Sequence, residues 1–497
     1  MADNQIRDLP GTRAAAAASA AALGGAAVLF TIAGGLVTVP LSAAGLLGGV
    51  NGAAIALAVL LLFASTRRRA VSAWLLPAFW LGFVLWAPIA LTRTPDLDAG
   101  RLELTRLWGC LAFSLLALAA SRGTFAGVTG LRLGWFAGLV LSVGIATWEL
   151  VTGNHLFVDA AHPWVFGDGP MAVGTFINPN NFATALVAMI AGSLALAATL
   201  RPRWAVRTVE AVVVLGCLVV LVTQSRSGLL ALLVVLGLEA RRRLLERRAT
   251  GGARRAERHP FGAVGVVAAG VLLVVTLSFV APPLAQRNPL ARMIVAQFGE
   301  ETARSDSLRL QLIAASWRYL RESGWLGSGA GSFEPLLWND VDAGTLKLTN
   351  LHNSFLELLT QYGVHIGALY AAVIAGIVVA LVRSRRVLGR TTRISRYEAC
   401  GHLAAVLALG IAASSALHVP LWWVALASAA ACAWQVEVST RAAQAPPAEE
   451  GAAEGVSPEL AIEAQSTAAA AAARAAQPEP KSAPSSEISG RDPAGRS

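Results

Sequence analysis

The sequence contains few charged residues. Only 14% of its 497 residues are Asp, Glu, Lys or Arg, whereas 55% are apolar. The apolar residues come in runs of roughly twenty, which is the length a helix needs to cross the hydrocarbon core of a bilayer. An ordinary soluble protein is excluded by this pattern. The composition predicts an all-α polytopic membrane protein.

Cysteine is scarce too. The four cysteines, which all lie inside apolar runs and lack paired spacing, are Cys110, Cys217, Cys400 and Cys432. Neither a disulfide framework nor a structural metal site is indicated. A net charge of +10 is compatible with nucleic-acid binding, but the arginine clusters alternate with apolar spans, a pattern that orients membrane proteins. We therefore expect the lipid bilayer as a partner and no nucleic acid.

The alternation of apolar runs and polar breaks predicts about twelve transmembrane helices. They cover residues 17–38, 47–66, 72–92, 103–121, 129–151, 180–200, 205–223, 227–240, 261–283, 353–382, 398–416 and 419–437. The first five make up an N-terminal membrane region at residues 17–170, preceded by a short terminus at residues 1–16. The others form a second membrane region at residues 171–437, which includes a long loop at residues 284–352.

Arginine clusters fall in every second loop. They run from Arg67 to Arg69, from Arg122 to Arg132, from Arg201 to Arg207, from Arg241 to Arg258 and from Arg383 to Arg396. Cytoplasmic loops carry the excess of Lys and Arg. We therefore expect a multi-pass protein of the cytoplasmic membrane with both termini in the cytoplasm. The loops near residues 152–179, 224–226 and 284–352 then face outward.

Two segments outside the spans differ in character. Residues 438–497 are rich in Ala, Pro, Glu and Ser and have no aromatic side chain, which predicts a disordered cytoplasmic tail. In the loop at residues 284–352, Ser305-Asp306-Ser307 offers helix N-caps and Gly324 can close a helix. The loop is therefore expected to form a partly helical outer cap between the ninth and tenth spans.

Three of the predicted helices begin with unusual polar residues at the outer face. The sixth span opens with Asn178-Pro179-Asn180, the eighth with Ser225-Arg226-Ser227-Gly228 and the tenth with His352-Asn353. Free N–H groups at helix N-termini and a forked guanidinium both suit phosphate oxygens. If these starts converge, they form a site for a phosphorylated group. The alternative for Arg226 is an arginine that extends to the lipid headgroups.

A titratable imidazole at the rim of a span, as at His352, is a functional hypothesis by default, although a His-Asn pair can also be a simple interfacial cap. The glycine-rich segment Gly327-Ser328-Gly329-Ala330-Gly331 follows a helix and lacks the Lys-Ser/Thr of a nucleotide loop. We expect it to allow close backbone packing instead.

Together these motifs resemble the O-antigen ligase and polymerase family of membrane glycosyltransferases. The resemblance covers roughly residues 170–385 and depends on the order of its parts. These are Asn178-Pro179-Asn180, Ser225-Arg226-Ser227-Gly228, the segment from Arg309 to Trp317, Gly327-x-Gly329-x-Gly331-x-Phe333, His352-Asn353 and Gly363. Two departures are Gly324-Trp325, where members often have a proline, and an outer cap that is short for the family.

The resemblance implies transfer or polymerisation of glycan from an undecaprenyl-diphosphate-linked donor at the outer face of the membrane. By matching position, Arg226 and Arg309 become diphosphate ligands and His352 the general base, without a cofactor or a metal. The supporting residues are Asn178, Asn180, Ser225 and Asn353. The acceptor is a glycan or lipid-glycan, and other polysaccharide assembly proteins are possible partners. Single displacement by an acceptor hydroxyl inverts the anomeric centre.

Alternatives remain at two levels. The Ala, Arg and Gly bias is typical of high-GC bacteria, many of which lack lipopolysaccharide, and this favours a polymerase over a ligase. A polysaccharide transporter or flippase would need polar residues near the midplane, where only His365 and His402 are candidates and where both can be core histidines. A non-catalytic component of a polysaccharide assembly complex is the third possibility.

Overall fold

The computed structural model describes residues 58, 70–155, 171–176, 178–249, 300–340, 351, 353–386, 389–412 and 416–444. Eleven α-helices and no strand occur in these ranges. The helices are α1 (Ser72–Thr92), α2 (Leu97–Ser121), α3 (Phe125–Thr152), α4 (Pro179–Thr199), α5 (Arg203–Val222), α6 (Arg226–Ala249), α7 (Glu300–Glu322), α8 (Phe333–Asn339), α9 (Ser354–Arg383), α10 (Arg390–Ala412) and α11 (Pro420–Gln444).

Seven of these helices, α1 to α5, α9 and α11, are long and apolar enough to cross a membrane. A helix of 21 residues, such as α1, spans about 30 Å, the thickness of a hydrocarbon core. The prediction of an all-α, multi-pass membrane protein is confirmed. The predicted spans at residues 17–38, 47–66 and 261–283 lie outside the described residues, apart from Ala58, so the total of about twelve stays a prediction.

Helices α6 and α10 extend beyond their predicted bounds into arginine-rich segments that the sequence had assigned to loops. Ion pairs within and between helices accompany the extension of α6. Arg242 and Arg243 bond to Glu239 at 2.7 and 2.6 Å, and Arg243 also bonds to Glu210 of α5 at 3.0 Å. Pairs three or four residues apart stabilise helical turns in this way.

Helix α4 lies at the centre of the bundle and contacts α3, α5, α6 and α10. Its sequence is rich in alanine, and its side chains from Asn181 to Ala198 are all buried. Small residues let the neighbouring helices approach closely. A Cβ added to Gly192 would lie 2.7 Å from Cβ of Trp135, and one added to Gly401 would lie 2.8 Å from Cβ of Ala191.

An aromatic cluster joins α1, α9 and α11. The ring of Trp423 lies 4.5 Å from that of Trp80, 5.4 Å from that of Phe79 and 5.8 Å from that of Tyr370, measured between centroids. Helix α11 continues to Gln444, past the predicted start of the tail at residue 438, and residues 445–497 lie outside the described ranges.

Arg132 is not a loop residue. It lies inside α3 with a fully buried side chain, so its assignment to a loop was wrong. Its Nε donates to Glu398 of α10 at 2.8 Å, and Nη2 donates to Ser395 at 2.8 Å. The buried charge is retained inside the bundle because Glu398, also buried, neutralises it.

The amphipathic helix α7 begins at Glu300, so the predicted N-caps at Ser305-Asp306-Ser307 lie within the helix and that detail was wrong. Its predicted end is confirmed, because Gly324 has φ +66° and the N–H of Trp325 returns to the carbonyl of Leu320 at 3.0 Å. Whether this helix forms an outer cap stays a prediction.

We predict that Arg132→Met lowers the free energy of unfolding by about 3–5 kcal/mol, because the substitution leaves the Glu398 carboxylate buried without its partner. Thermal unfolding of the purified protein in detergent measures the effect. Arg101→Met is the matched control, since Arg101 and its partner Asp98 are exposed and 3.6 Å apart and such pairs contribute less than about 1 kcal/mol. Equal melting of the two variants would contradict a structural role for the buried pair.

Candidate functional site

The first turns of α4 and α6 lie side by side. Asn178 caps α4, because its Oδ1 accepts from the N–H of Asn180 at 2.8 Å. Ser225 caps α6, because its Oγ accepts from the N–H of Gly228 at 3.1 Å. A Cβ on Gly228 would lie 2.4 Å from Cβ of Ala183 in α4. Two of the three predicted helix starts are therefore brought into contact.

Arg226 is the first residue of α6 and follows directly on the Ser225 cap. Its side chain is partly exposed. The chain turns sharply before it, since Gln224 has φ +55°. Arg226 therefore follows a tight turn and lies in the first turn of α6, which contacts the first turn of α4, and the positive ends of helix dipoles favour anions there.

The start of α9 is linked to the start of α4 through α11. Asn353 caps α9, with its Oδ1 accepting from the N–H of Leu356 at 3.1 Å, so the capping interpretation holds for this residue. The ring of Phe355 packs edge-on to that of Trp422, with centroids 6.4 Å apart. Trp422 lines a groove that Asn181 of α4 also lines. We call the end of the bundle where α4, α6, α9 and α11 begin the site end.

A shallow apolar groove begins at the site end between α4, α10 and α11. Its walls are almost wholly apolar, apart from the two polar residues in the first turns of α4. The lining residues are Asn181, Thr184, Ala185, Ala188, Ala405, Val406, Leu409, Val419, Leu421, Trp422 and Ala425. The groove encloses little space, so it offers an apolar wall beside the helix starts and is not a closed channel.

Arg309 lies in α7 with a partly buried side chain. Leu312, one turn further on, packs in a cluster with Leu351 and Leu356 on either side of the start of α9. This face of α7 therefore lies against the segment that contains His352. His352 itself is outside the described residues, so its distance to either arginine is not defined.

Helix α9 is broken at Gly363, which has φ +86° and ψ 171°, a conformation that only glycine adopts readily. The break releases the carbonyls of Thr360 and Gln361 from the helical ladder. The N–H groups of Ser328 and Gly329 replace the helical donors, at 2.8 and 3.0 Å. The glycine-rich segment thus completes the backbone hydrogen bonding of the interrupted helix.

The same segment also packs against the turn between α1 and α2. A Cβ on Gly329 would lie 2.4 Å from the nitrogen of Thr94, and one on Gly331 would lie 2.6 Å from the carbonyl oxygen of Ala99. Arg93 donates to the carbonyl of Gly327 at 2.8 Å. The predicted close backbone packing is confirmed, and it fixes α7, α9 and the α1–α2 turn to one another.

Glu149, a buried residue that the sequence did not single out, organises the segment before α4. Its Oε2 accepts from the N–H groups of Val173 and Gly174 at 3.0 and 2.9 Å, and its Oε1 lies 3.1 Å from Nδ1 of His155. The carboxylate therefore holds the chain that leads to the Asn178 cap. Asp159, His162 and Asp168, which follow His155 in the same loop, lie outside the described ranges.

Glu103 and His418 form a second group that sequence reasoning missed. Glu103 hydrogen bonds to Nε2 of His418, in the turn before α11, and accepts from the hydroxyl of Tyr362 at 3.3 Å. Burial lowers the pKa of His418, but the carboxylates of Glu103 and Glu357 outweigh this effect, so the pKa is raised above its ordinary value. No sequence signal joins residues 315 positions apart.

The two candidate midplane histidines pack against tryptophan rings. His365 lies 4.1 Å from Trp86 and His402 lies 5.1 Å from Trp135, measured between centroids. Within the described part of the chain, neither ring nitrogen of His402 has a hydrogen bond, and neither does Nε2 of His365. His402 is a fully buried core histidine and His365 is partly buried, and the hydrogen bonding of both is incomplete.

The fold and this polar end define a multi-pass helical membrane protein with a site where several helices begin. A family model described as O-antigen ligase matches residues 211–371. The match confirms the similarity to that family over about a third of the chain, a stretch that contains Arg226, Arg309 and His352. It supports a ligase- or polymerase-type membrane glycosyltransferase. A comparison with curated proteins gave no match.

We predict that Gly363→Ala destabilises the protein by at least about 1–3 kcal/mol, because alanine disfavours this backbone conformation and its Cβ would lie 2.6 Å from the carbonyl oxygen of Leu326. The midpoint of thermal unfolding in detergent reports the loss. The control is Gly144→Ala at an exposed helical position of α3 with no atom within 4 Å, where alanine stabilises by up to about 1 kcal/mol. A Gly363→Ala protein as stable as Gly144→Ala would refute this account.

Proposed function

We propose that the protein is a polysaccharide polymerase of the O-antigen ligase type, which transfers glycan from an undecaprenyl-diphosphate-linked donor at the outer face of the cytoplasmic membrane. An acceptor hydroxyl attacks the anomeric carbon, the bond to the diphosphate breaks, and the configuration is inverted without a metal. The acceptor is a growing glycan or lipid-glycan chain.

One observation supports the proposal: the first turns of α4 and α6, which carry the Asn178 cap, the Ser225 cap and Arg226, are in contact, and Asn181 in the first turn of α4 also lines the apolar groove. A lipid-linked diphosphate has the matching shape, with a hydrocarbon chain joined to an anion. Main-chain N–H groups and the positive ends of two helix dipoles favour the anion. The isoprenoid chain is then expected to lie against the apolar wall of the groove.

The charge that develops during the reaction supports the same assignment. As the glycosyl bond breaks, negative charge accumulates on the departing diphosphate, and preorganised cationic donors stabilise it. We assign this role to Arg226 and Arg309, with Asn178, Asn180, Ser225 and Asn353 in support. His352 is the candidate base for the acceptor hydroxyl, since an imidazole titrates near neutral pH.

We expect Arg226→Ala, Arg309→Ala and His352→Ala each to reduce glycan extension about 100-fold or more, because each removes a group that acts in the transition state. Arg226→Lys should be intermediate, since it keeps the charge but loses the forked donor geometry. Each variant is expressed in a strain lacking the gene, and gel analysis of its surface polysaccharide measures chain length.

The control is Arg207→Ala, because Arg207 is exposed near the start of α5 while Arg226 follows its far end. This variant should restore normal chain length. Immunoblots of membranes establish that all variants are present in equal amounts. A wild-type length distribution in any of the three alanine variants would remove that residue from the mechanism.

Deletion of the gene distinguishes the polymerase from the ligase. Loss of a polymerase leaves single repeat units, whereas loss of a ligase leaves long chains that are not attached to their acceptor. We expect single units on gels of the extracted polysaccharide, together with accumulated lipid-linked units in the membrane. Long unattached chains would make the protein a ligase, and unchanged polysaccharide would reject both activities.

A further inference from the structure

An imidazole and a carboxylate are paired where α2, α9 and α11 meet. Glu103 of α2 bonds to Nε2 of His418 and also accepts from the hydroxyl of Tyr362 in α9. The Glu103 side chain is 5% exposed and that of His418 is 17% exposed. A carboxylate withdrawn from water in this way forms a strong, fixed hydrogen bond to the ring.

The pair lies at the site end of the bundle. Val419 and Leu421, which come soon after His418 in the sequence, line the apolar groove. Asn181 and Thr184 in the first turns of α4 line the same groove. On the other side, Glu357 in the first turn of α9 is close enough to raise the pKa of His418. His418 is therefore placed between the starts of α4 and α9.

The geometry leaves one nitrogen of His418 for a ligand. Nε2 faces Glu103, while Nδ1 makes no hydrogen bond to any residue that the structure describes, and the ring is partly exposed. A carboxylate bound to one ring nitrogen selects the tautomer with its proton there and makes the other nitrogen a better proton acceptor. The same logic orients the histidine of a catalytic triad.

We propose that His418, oriented by Glu103, is an acid–base group of this site and takes up the proton of the acceptor hydroxyl. This inference depends on the proposed function and changes only its choice of base, from His352 to His418. As the acceptor oxygen bonds to the anomeric carbon, the carbon–oxygen bond to the diphosphate breaks and the electron pair leaves with the diphosphate. The hydroxyl proton passes to Nδ1 of His418 and from there to the outer aqueous phase.

The local charges favour a hydroxyl over a phosphate as the ligand of His418. Glu103 and Glu357 are both buried carboxylates near the ring, and they repel an anion while accepting hydrogen bonds from sugar hydroxyls. Arg226 and the capped helix starts are better suited to bind the diphosphate. The acceptor and the leaving group thus have separate parts of the site end.

The pH dependence separates this role from a purely structural one. The groups that face His418 are Glu103 and Arg106 of α2 and Glu357 of α9, and together with burial they leave its pKa above the ordinary value of 6.5. A structural ion pair is complete below pH 6.5 and is lost as the pH rises through the raised pKa. A proton acceptor behaves in the opposite way, because the ring must be neutral, so the transfer rate rises with pH through that pKa.

The test uses the purified full-length protein in nanodiscs and, as the donor, the lipid-linked glycan extracted from the deletion strain. Transfer rates are measured from about pH 5 to 9, the range in which histidine titrates. We expect a wild-type rate that rises through a pKa above 6.5. Glu103→Gln should shift this rise to lower pH, because it removes the carboxylate that raises the pKa of His418, and His418→Gln should lower the rate about 100-fold or more. Tyr362→Phe, which keeps the Glu103 charge, should leave the rise in place.

Several results would overturn the inference. One is an equal transfer rate in the wild type and His418→Gln. A second is a transfer rate of Glu103→Gln that is lower by the same factor at every pH. A third is a rise of the transfer rate with pH that disappears only in His352→Ala. If the wild type itself transfers no glycan, the proposed function fails, and the role of His418 with it. Transfer by the wild type and by His418→Gln alike refutes the role of His418 alone.

A second measurement uses the wild-type protein and therefore does not depend on whether the variants fold. Diethyl pyrocarbonate modifies neutral, accessible imidazole, and mass spectrometry identifies the modified residue. In the wild-type protein, modification of His418 should increase through the same raised pKa as the transfer rate, while the fully buried His402 stays unmodified. An unreactive His418 would contradict an accessible Nδ1 and overturn the inference.

Discussion

The arrangement of the site end depends on one interruption of backbone hydrogen bonding. In an apolar bundle every backbone N–H and C=O must be paired, because no water replaces a lost partner. The break of α9 at Gly363 frees two carbonyls, and Ser328 and Gly329 pair with them. This requirement holds the glycine-rich segment, and with it α7, against the first turns of α9.

The break also separates a first part of α9 that carries polar side chains from a second part that is mainly apolar. Before Gly363 the helix carries the buried polar residues Glu357, Gln361 and Tyr362, and after it, apart from His365 and Tyr370, the helix is apolar as far as Val382. Gln361 accepts from the N–H of Gly331 at 2.6 Å, and Tyr362 bonds to Glu103. Polar groups therefore collect at one end of the bundle, and the aromatic cluster around Trp423 fills the space next to them.

Local features of the chain were predictable, and long-range partnerships were not. Apolar runs located α1, α4 and α5 to within two residues, and the caps at Asn178, Ser225 and Asn353 follow from residue type and position. The close packing of the glycine-rich segment followed from glycine spacing. The break of α9 did not, because a lone glycine in an apolar run is equally typical of a continuous span. The pairs Arg132–Glu398 and Glu103–His418 join residues more than 260 positions apart, and no periodicity encodes them.

Electrostatics gives a reason for two chemically different parts within one site. Leaving-group stabilisation requires positive potential, which Arg226 and the two capped helix starts supply. Proton removal requires a basic nitrogen, whose affinity for a proton rises near carboxylates such as Glu103 and Glu357. If the two sets were mixed, the arginines would lower the basicity of the imidazole and the carboxylates would weaken diphosphate binding. In our proposal the cationic groups lie at the end of the groove that contains Asn181, and the basic imidazole lies in the turn that contains His418. Both sets of groups are attached to α4, α9 and α11, so that one donor and one acceptor can reach them.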